Sequence, residues 1–114
     1  MHEGHVSAVL VAAIDGERVL VVLEYPELIR PLMEELESAF DGTAKELIRS
    51  VNRTNGGERI DFDAGGSIRF RLPHRINRSD RFDQVFVPIG THANLIVELA
   101  LSLDGSRVGL ITGY

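Results

Sequence analysis

The sequence predicts a single α/β domain: a three-layer-like arrangement with a mixed sheet, about three helices and an antiparallel hairpin inserted at residues 59–71. Three observations carry this expectation. Within residues 18–24 (Arg-Val-Leu-Val-Val-Leu-Glu) the apolar residues run without a break from 19 to 23, as in an inner strand covered on both faces. Two later stretches repeat apolar residues at helical spacing. Residues 59–71 alternate strictly around a Gly-Gly pair, which marks two strands and a turn. A length of 114 residues, 44% of them apolar, suits one domain with one core and is too apolar for a disordered chain.

The first apolar segment runs from Val6 to Ile14 and ends at Asp15-Gly16. Val6, Val9, Leu10, Ala13 and Ile14 fit one helical face. The β-branched content and the Asp-Gly turn fit a hairpin arm equally well. After the inner strand, Tyr25-Pro26 breaks the chain. Leu28, Ile29, Leu32, Met33, Leu36 and Phe40 then define a helix whose regular part starts near Pro31, with Glu34, Glu35 and Glu37 on its wet face and Gly42 as its stop. Thr43-Ala-Lys-Glu46 has the form of a capping box. It predicts a short helix through Leu47, Ile48 and Val51, ended by the loop at residues 52–57.

In the hairpin, a turn at Ala64-Gly65-Gly66 would set Phe62 against Ile68, Ile60 against Phe70, Asp61 against Arg69 and Arg59 against Arg71. The Asp–Arg pair is favourable and the Arg–Arg pair is not, unless an anion lies nearby. Residues 73–81 form an Arg-rich loop, and residues 82–88 a buried strand. Thr91 is placed to cap a helix with Leu95, Ile96, Leu99 and Leu103 in one stripe. Asp104-Gly105 ends it, and residues 108–112 make a last short strand.

The formal charge of −5 conceals an asymmetry. Residues 1–48 carry a net −7, residues 49–81 a net +4 and residues 82–114 a net −2. Eleven of the 12 bases are Arg, whose rigid fork matches phosphate and carboxylate. Arg59, Arg69, Arg71, Arg75, Arg78 and Arg81 are therefore the candidate contacts for a nucleic acid or another anion. The overall acidity opposes strong nonspecific DNA binding.

No segment approaches the ~20 apolar residues of a membrane span, and no secretory signal opens the chain. With no Cys there is no disulfide, thiol nucleophile or Cys-based zinc site, which suits a reducing cytoplasm. His2, Glu3 and His5 lack the His-Glu-x-x-His pattern of zinc proteases. His74 lies in the Arg-rich loop and is assigned to partner contact. Asp83 and His92 flank the strand at residues 82–88, a pairing that acid–base chemistry would need to bring together. Asp61 and Asp63 point the same way on one strand but lie beside Arg, which favours structural pairing. Aromatic stacking on single-stranded nucleic acid would rest on Phe70 and Tyr25 alone.

Four pieces of the chain, in order, resemble the first RecA-like lobe of helicases and phage large-terminase ATPases. Residues 18–26 look like the strand entering motif Ia. Residues 55–71 look like the family hairpin, residues 78–87 like the basic loop and Walker B strand, and residues 109–113 (Gly-Leu-Ile-Thr-Gly) like motif III. The departures are as informative. There is no Gly-x-x-x-x-Gly-Lys-[Ser/Thr] loop, since Gly42-Thr-Ala-Lys45 has the wrong spacing. The Walker B run ends in Pro88-Ile89 instead of Asp-Glu. The resemblance thus implies a degenerate lobe without ATP hydrolysis, of viral or prophage origin, needing no cofactor and no metal. It also implies a sheet lacking the family's central strand. The resulting gap would be filled by residues 6–14 or covered by a second copy. The expected function is non-catalytic binding of DNA, RNA or a phage protein assembly. The alternatives are a module that self-associates through an open sheet edge, and an enzyme of unrecognised type.

Overall fold

A computed structural model describes residues 1–39, 45–77 and 79–114. The element order is α1 (Glu3–Ile14), β1 (Arg18–Val22), a 3-10 turn (Pro26–Leu28), α2 (Ile29–Ser38), β2 (Ile48–Asn52), β3 (Arg59–Phe62), β4 (Ser67–Arg71), a 3-10 turn (Pro73–Arg75), β5 (Gln84–Val87), α3 (Ala93–Ser102) and β6 (Leu110–Gly113). The strands form one sheet in the order β2-β3-β4-β1-β5-β6. β1 runs parallel to β4 and β5, and β5 runs parallel to β6. β3 is antiparallel to both β2 and β4, so it alone of the six strands is reversed. The expected α/β class, mixed sheet and three helices are thus present among the described residues.

β1 owes its central place to its own composition. Val19, Val21 and Leu23 face one side and Leu20 and Val22 the other, all buried. The first side is covered by Val6, Val9, Leu10 and Ala13 of α1 and by Ile29, Leu32, Met33 and Leu36 of α2. Ile60, Phe62, Ile68, Phe70 and Phe86 complete that layer. On the other side Leu20, Val22, Val85 and Val87 meet Leu99 of α3, with Leu103 and Phe82. A parallel sheet wound in opposite directions from its middle needs its crossovers on opposite faces, and α2 and α3 obey that rule.

The segment left open between helix and strand is the helix α1. It is capped by the His2 imidazole, whose Nδ1 accepts from the Gly4 amide at 3.0 Å. No gap remains for it to fill, because the sheet is hydrogen-bonded from β2 to β6 without interruption. The expectation of a missing central strand is therefore corrected. The helix near Pro31 begins two residues earlier, at Ile29. Pro31 lies in its first turn, where a missing N–H costs nothing. The proposed stop at Gly42 and N-cap at Thr43 lie outside the described residues.

Of the helix expected through Leu47, Ile48 and Val51, Ile48 and Val51 lie instead on the edge strand β2, and Leu47 in the turn before it. The physical reason is a register irregularity between Ile48 and Ser50. That bulge lets Ile48 pair with Phe62 and Val51 with Ile60, so two residues three apart reach the same core. Their spacing imitates a helix.

The hairpin register also differs. Asp63, Ala64 and Gly65 form the loop, closed by Phe62 N–H to Gly66 O at 2.9 Å and Gly65 N–H to Phe62 O at 3.0 Å. Gly65 takes the left-handed conformation (φ +93°) that a three-residue hairpin needs in its last loop position. The pairs become Arg59 with Arg69, Ile60 with Ile68 and Asp61 with Ser67. Neither the Asp61–Arg69 pair nor the Arg59–Arg71 pair forms. Gly66 is glycine for another reason: a Cβ there would lie 1.9 Å from the Ala13 carbonyl oxygen at the end of α1.

At the other end of the chain, His92 caps α3 in place of Thr91. Its Nδ1 accepts from the Asn94 amide at 3.1 Å. The Thr91 hydroxyl donates to Pro88 O at 2.6 Å.

Candidate functional site

Alternation along β3 and β4 sends even-numbered residues into the α1/α2 core and odd-numbered ones to the opposite face. That face is covered by α3 where β1 and β5 lie. Under β3 and β4 it carries Arg59, Asp61, Arg69 and Arg71, partly covered by the loop that returns through Asp80. Three of the six candidate Arg residues thus share one sheet face. Arg75 ends the 3-10 turn after β4 and is exposed. Arg81 is exposed in the segment before β5, and one N–H donates to Asp80 O at 3.2 Å. Arg78 lies outside the described residues.

The like-charge pair that the sheet creates, Arg59 opposite Arg69, is relieved from two directions. Arg59 Nε lies 3.1 Å from Asp61 Oδ2 on its own strand. Arg69 Nη1 donates to Asp80 Oδ2 at 3.2 Å, drawing the loop back over the face. Asp61 also accepts from the Ser50 hydroxyl at 3.1 Å, so its carboxylate is engaged structurally. Arg69 Nε is buried without a hydrogen-bond partner among the described residues. Arg71 is held differently: Nη1 donates to Glu58 O at 2.7 Å and to Phe70 O at 2.8 Å. Burial first, then Arg69, pushes the Arg71 guanidinium below its ordinary pKa, with Glu58 and Asp80 opposing. A guanidinium remains a cation under such a shift, so the shift records a positive charge held partly out of water.

Beside Arg71 the face turns into a crevice of about 470 Å³ at the carboxyl ends of β1 and β4. From these adjacent strands the chain departs to opposite faces, toward α2 from β1 and into the loop toward β5 from β4. Open α/β sheets place ligands at such a divergence. Glu24, Glu58, Arg71, His74 and Arg75 supply its charged and titratable walls, and Pro26, Ile29 and Leu72 its apolar ones. Glu58 is only 9% exposed, and its Oε1 is buried with no hydrogen-bond partner among the described residues. Glu24 and Glu58 were not among the residues singled out from the sequence. The signal was present, however: Glu58 precedes Ile60 and Phe62 by alternation, so a carboxylate occupies a core-facing position.

The remaining candidates are structural. Asp83 accepts from the Arg18 amide and from the Ser106 hydroxyl, each at 2.8 Å, and so clamps the start of β1 to the approach of β6. His92 is occupied as a cap. Phe70 is fully buried and Tyr25 exposed. Among the described residues no group of three metal-ligating side chains converges, and no helix is long and apolar enough to cross a membrane. Comparison with protein-family models, curated proteins and solved structures returned no match.

Proposed function

We propose that the protein is a non-catalytic binding module that engages nucleic acid through the helix-free Arg face of the hairpin and the loop that follows it. The observation that carries this reading is the placement of Arg59, Arg69 and Arg71 on one sheet face, partly exposed, with Arg75 and Arg81 beside it in sequence. The internal partners of Arg59 and Arg69 are partly exposed carboxylates, whose pairing with them is weak in water. A phosphate backbone can therefore replace Asp61 or Asp80 at small cost. Arg78, by its sequence position, belongs to the same group. The likeness to a RecA-like lobe fits a phage-derived protein that kept a strand-contacting surface and lost the nucleotide machinery.

The test is fluorescence anisotropy of labelled single- and double-stranded oligonucleotides across a salt series. Substituting Arg75, Arg78 and Arg81 together by Ala should flatten the logarithmic salt dependence by about 2 to 3 units, roughly 0.7–0.9 per phosphate contact. No binding at low salt, or a slope unmoved by the substitutions, refutes the reading. An acidic protein assembly that binds in place of oligonucleotides would do the same.

A second reading, self-association, is favoured by the β6 edge. β6 pairs on one side only, and Leu110 on it is 51% exposed. Sedimentation velocity decides it: a concentration-dependent dimer abolished by Leu110→Lys supports pairing through this edge, and a strict monomer excludes it.

A further inference from the structure

The crevice at the ends of β1 and β4 holds charges of both signs, and no hydrogen bond joins the side chains of Glu58 and Arg71, although their charges interact. Glu58 is nine-tenths buried, and its Oε1 lacks any hydrogen-bond partner among the described residues. A carboxylate oxygen kept from water without a donor is costly and calls for an explanation, a bound ligand or ion among them. The donor it takes best is cationic, because charge-assisted bonds are the strong ones. Glu24 on the facing wall adds a second negative charge. Those two acids make the crevice a poor seat for a phosphodiester, although Arg71 and Arg75 are shared with the Arg face. At the same time Arg71, His74 and Arg75 line the same space and call for an anion. Pro26, Ile29 and Leu72 add an apolar wall. The volume lies within the range of small-molecule sites.

We propose that this crevice binds a small zwitterion of the α-amino-acid class with an apolar side chain. Its ammonium donates to Glu58, with Glu24 adding attraction. Its carboxylate meets Arg71 and Arg75, and its side chain lies against Ile29 and Leu72. The recognition is bipolar, so neither half of the ligand suffices.

Isothermal titration calorimetry with L-leucine as probe, beside 4-methylpentanoate (no ammonium) and 3-methylbutylamine (no carboxylate), tests it. L-leucine should bind at least tenfold more tightly than either half-ligand. Glu58→Gln should reduce leucine to the level of 4-methylpentanoate, while 4-methylpentanoate binds as well as before or better, which also reports that the variant is folded. Arg75→Ala, at an exposed position, should weaken leucine and 4-methylpentanoate but not the amine. Three results would each overturn the proposal: no heat with leucine at millimolar concentration, equal affinity for leucine and 4-methylpentanoate, or unchanged leucine binding by Glu58→Gln. Oligonucleotide binding is measured on the same samples, and Glu58→Gln separates the two activities, because Arg75 is common to both while Glu58 lies outside the Arg face.

Discussion

Replacing Gly66 by Ala should be the most damaging single-methyl change in the hairpin. The added Cβ would sit 1.9 Å from Ala13 O, 2.9 Å from Ala13 C and 3.0 Å from Glu17 O, all backbone atoms. Real Cβ contacts stay above 3.0 Å, so α1 and the start of β4 must separate by more than about 1 Å. No side chain can rotate aside to absorb the strain. Overpacking of this kind costs about 1–3 kcal/mol, and separation also stretches the Ser67 N–H to Glu17 O bond of 3.1 Å, adding about 1 kcal/mol. A total of roughly 3 kcal/mol is a large share of the ~5–15 kcal/mol that holds a domain together. In urea it should lower the unfolding midpoint by about 1–2 M. The control is Gly65→Ala, where φ is +93° and nothing lies within 4 Å of the new methyl. That change carries only the left-handed penalty of about 1–2 kcal/mol. A Gly66→Ala midpoint equal to or above that of Gly65→Ala would refute the close-approach argument.

Two further outcomes follow from the same contacts. Asp83→Ala removes the acceptor of both Arg18 N–H and Ser106 Oγ–H, and should cost roughly 2–3 kcal/mol by urea unfolding. Asp83→Asn, which keeps one acceptor oxygen, should recover part of that loss. The Tyr114 hydroxyl, which donates to Val22 O, is pushed up to about 12 by burial and then by Glu24. Its raised folded-state pKa means the native state holds the phenolic proton more tightly than the unfolded chain. The associated stability is fully present below about pH 10 and is lost as the pH rises from there to about 12. Alkaline unfolding of Tyr114→Phe should lack that component.

Much of the fold could be read from apolar patterning, and the errors have specific physical causes. The run at residues 18–24 announced a strand covered on both faces, and β1 is one. The stripe of Ile29, Leu32, Met33 and Leu36 announced α2 because those side chains all reach one core. The errors arose where one signal served two purposes. Ile48 and Val51 are three apart and both face inward because a bulge resets the strand's parity, a shift that spacing alone assigns to a helix. Two adjacent glycines looked like one turn, yet Gly65 is there for its backbone angle and Gly66 for the approach of α1. That double duty moved the hairpin register by two positions. Candidate Arg residues were visible from charge clustering, but their partners were not. Asp80 reaches Arg69 only through the return of the loop, which no periodicity records. Glu58 was legible by alternation with Ile60 and Phe62, but the crevice it lines is formed by residues distant in sequence, such as Glu24 and Ile29.

The alternation in β3 and β4 has an evolutionary consequence. Residues 60, 62, 68 and 70 are fully committed to the core, whereas 59, 61, 69 and 71 face outward between them. The instructions for folding and for surface chemistry are therefore interleaved one residue at a time on the same two strands. Drift at the outward positions alters surface charge without touching the core set. Drift at the inward ones is confined to apolar exchange. The surface charge of the hairpin can thus change while its core set stays fixed.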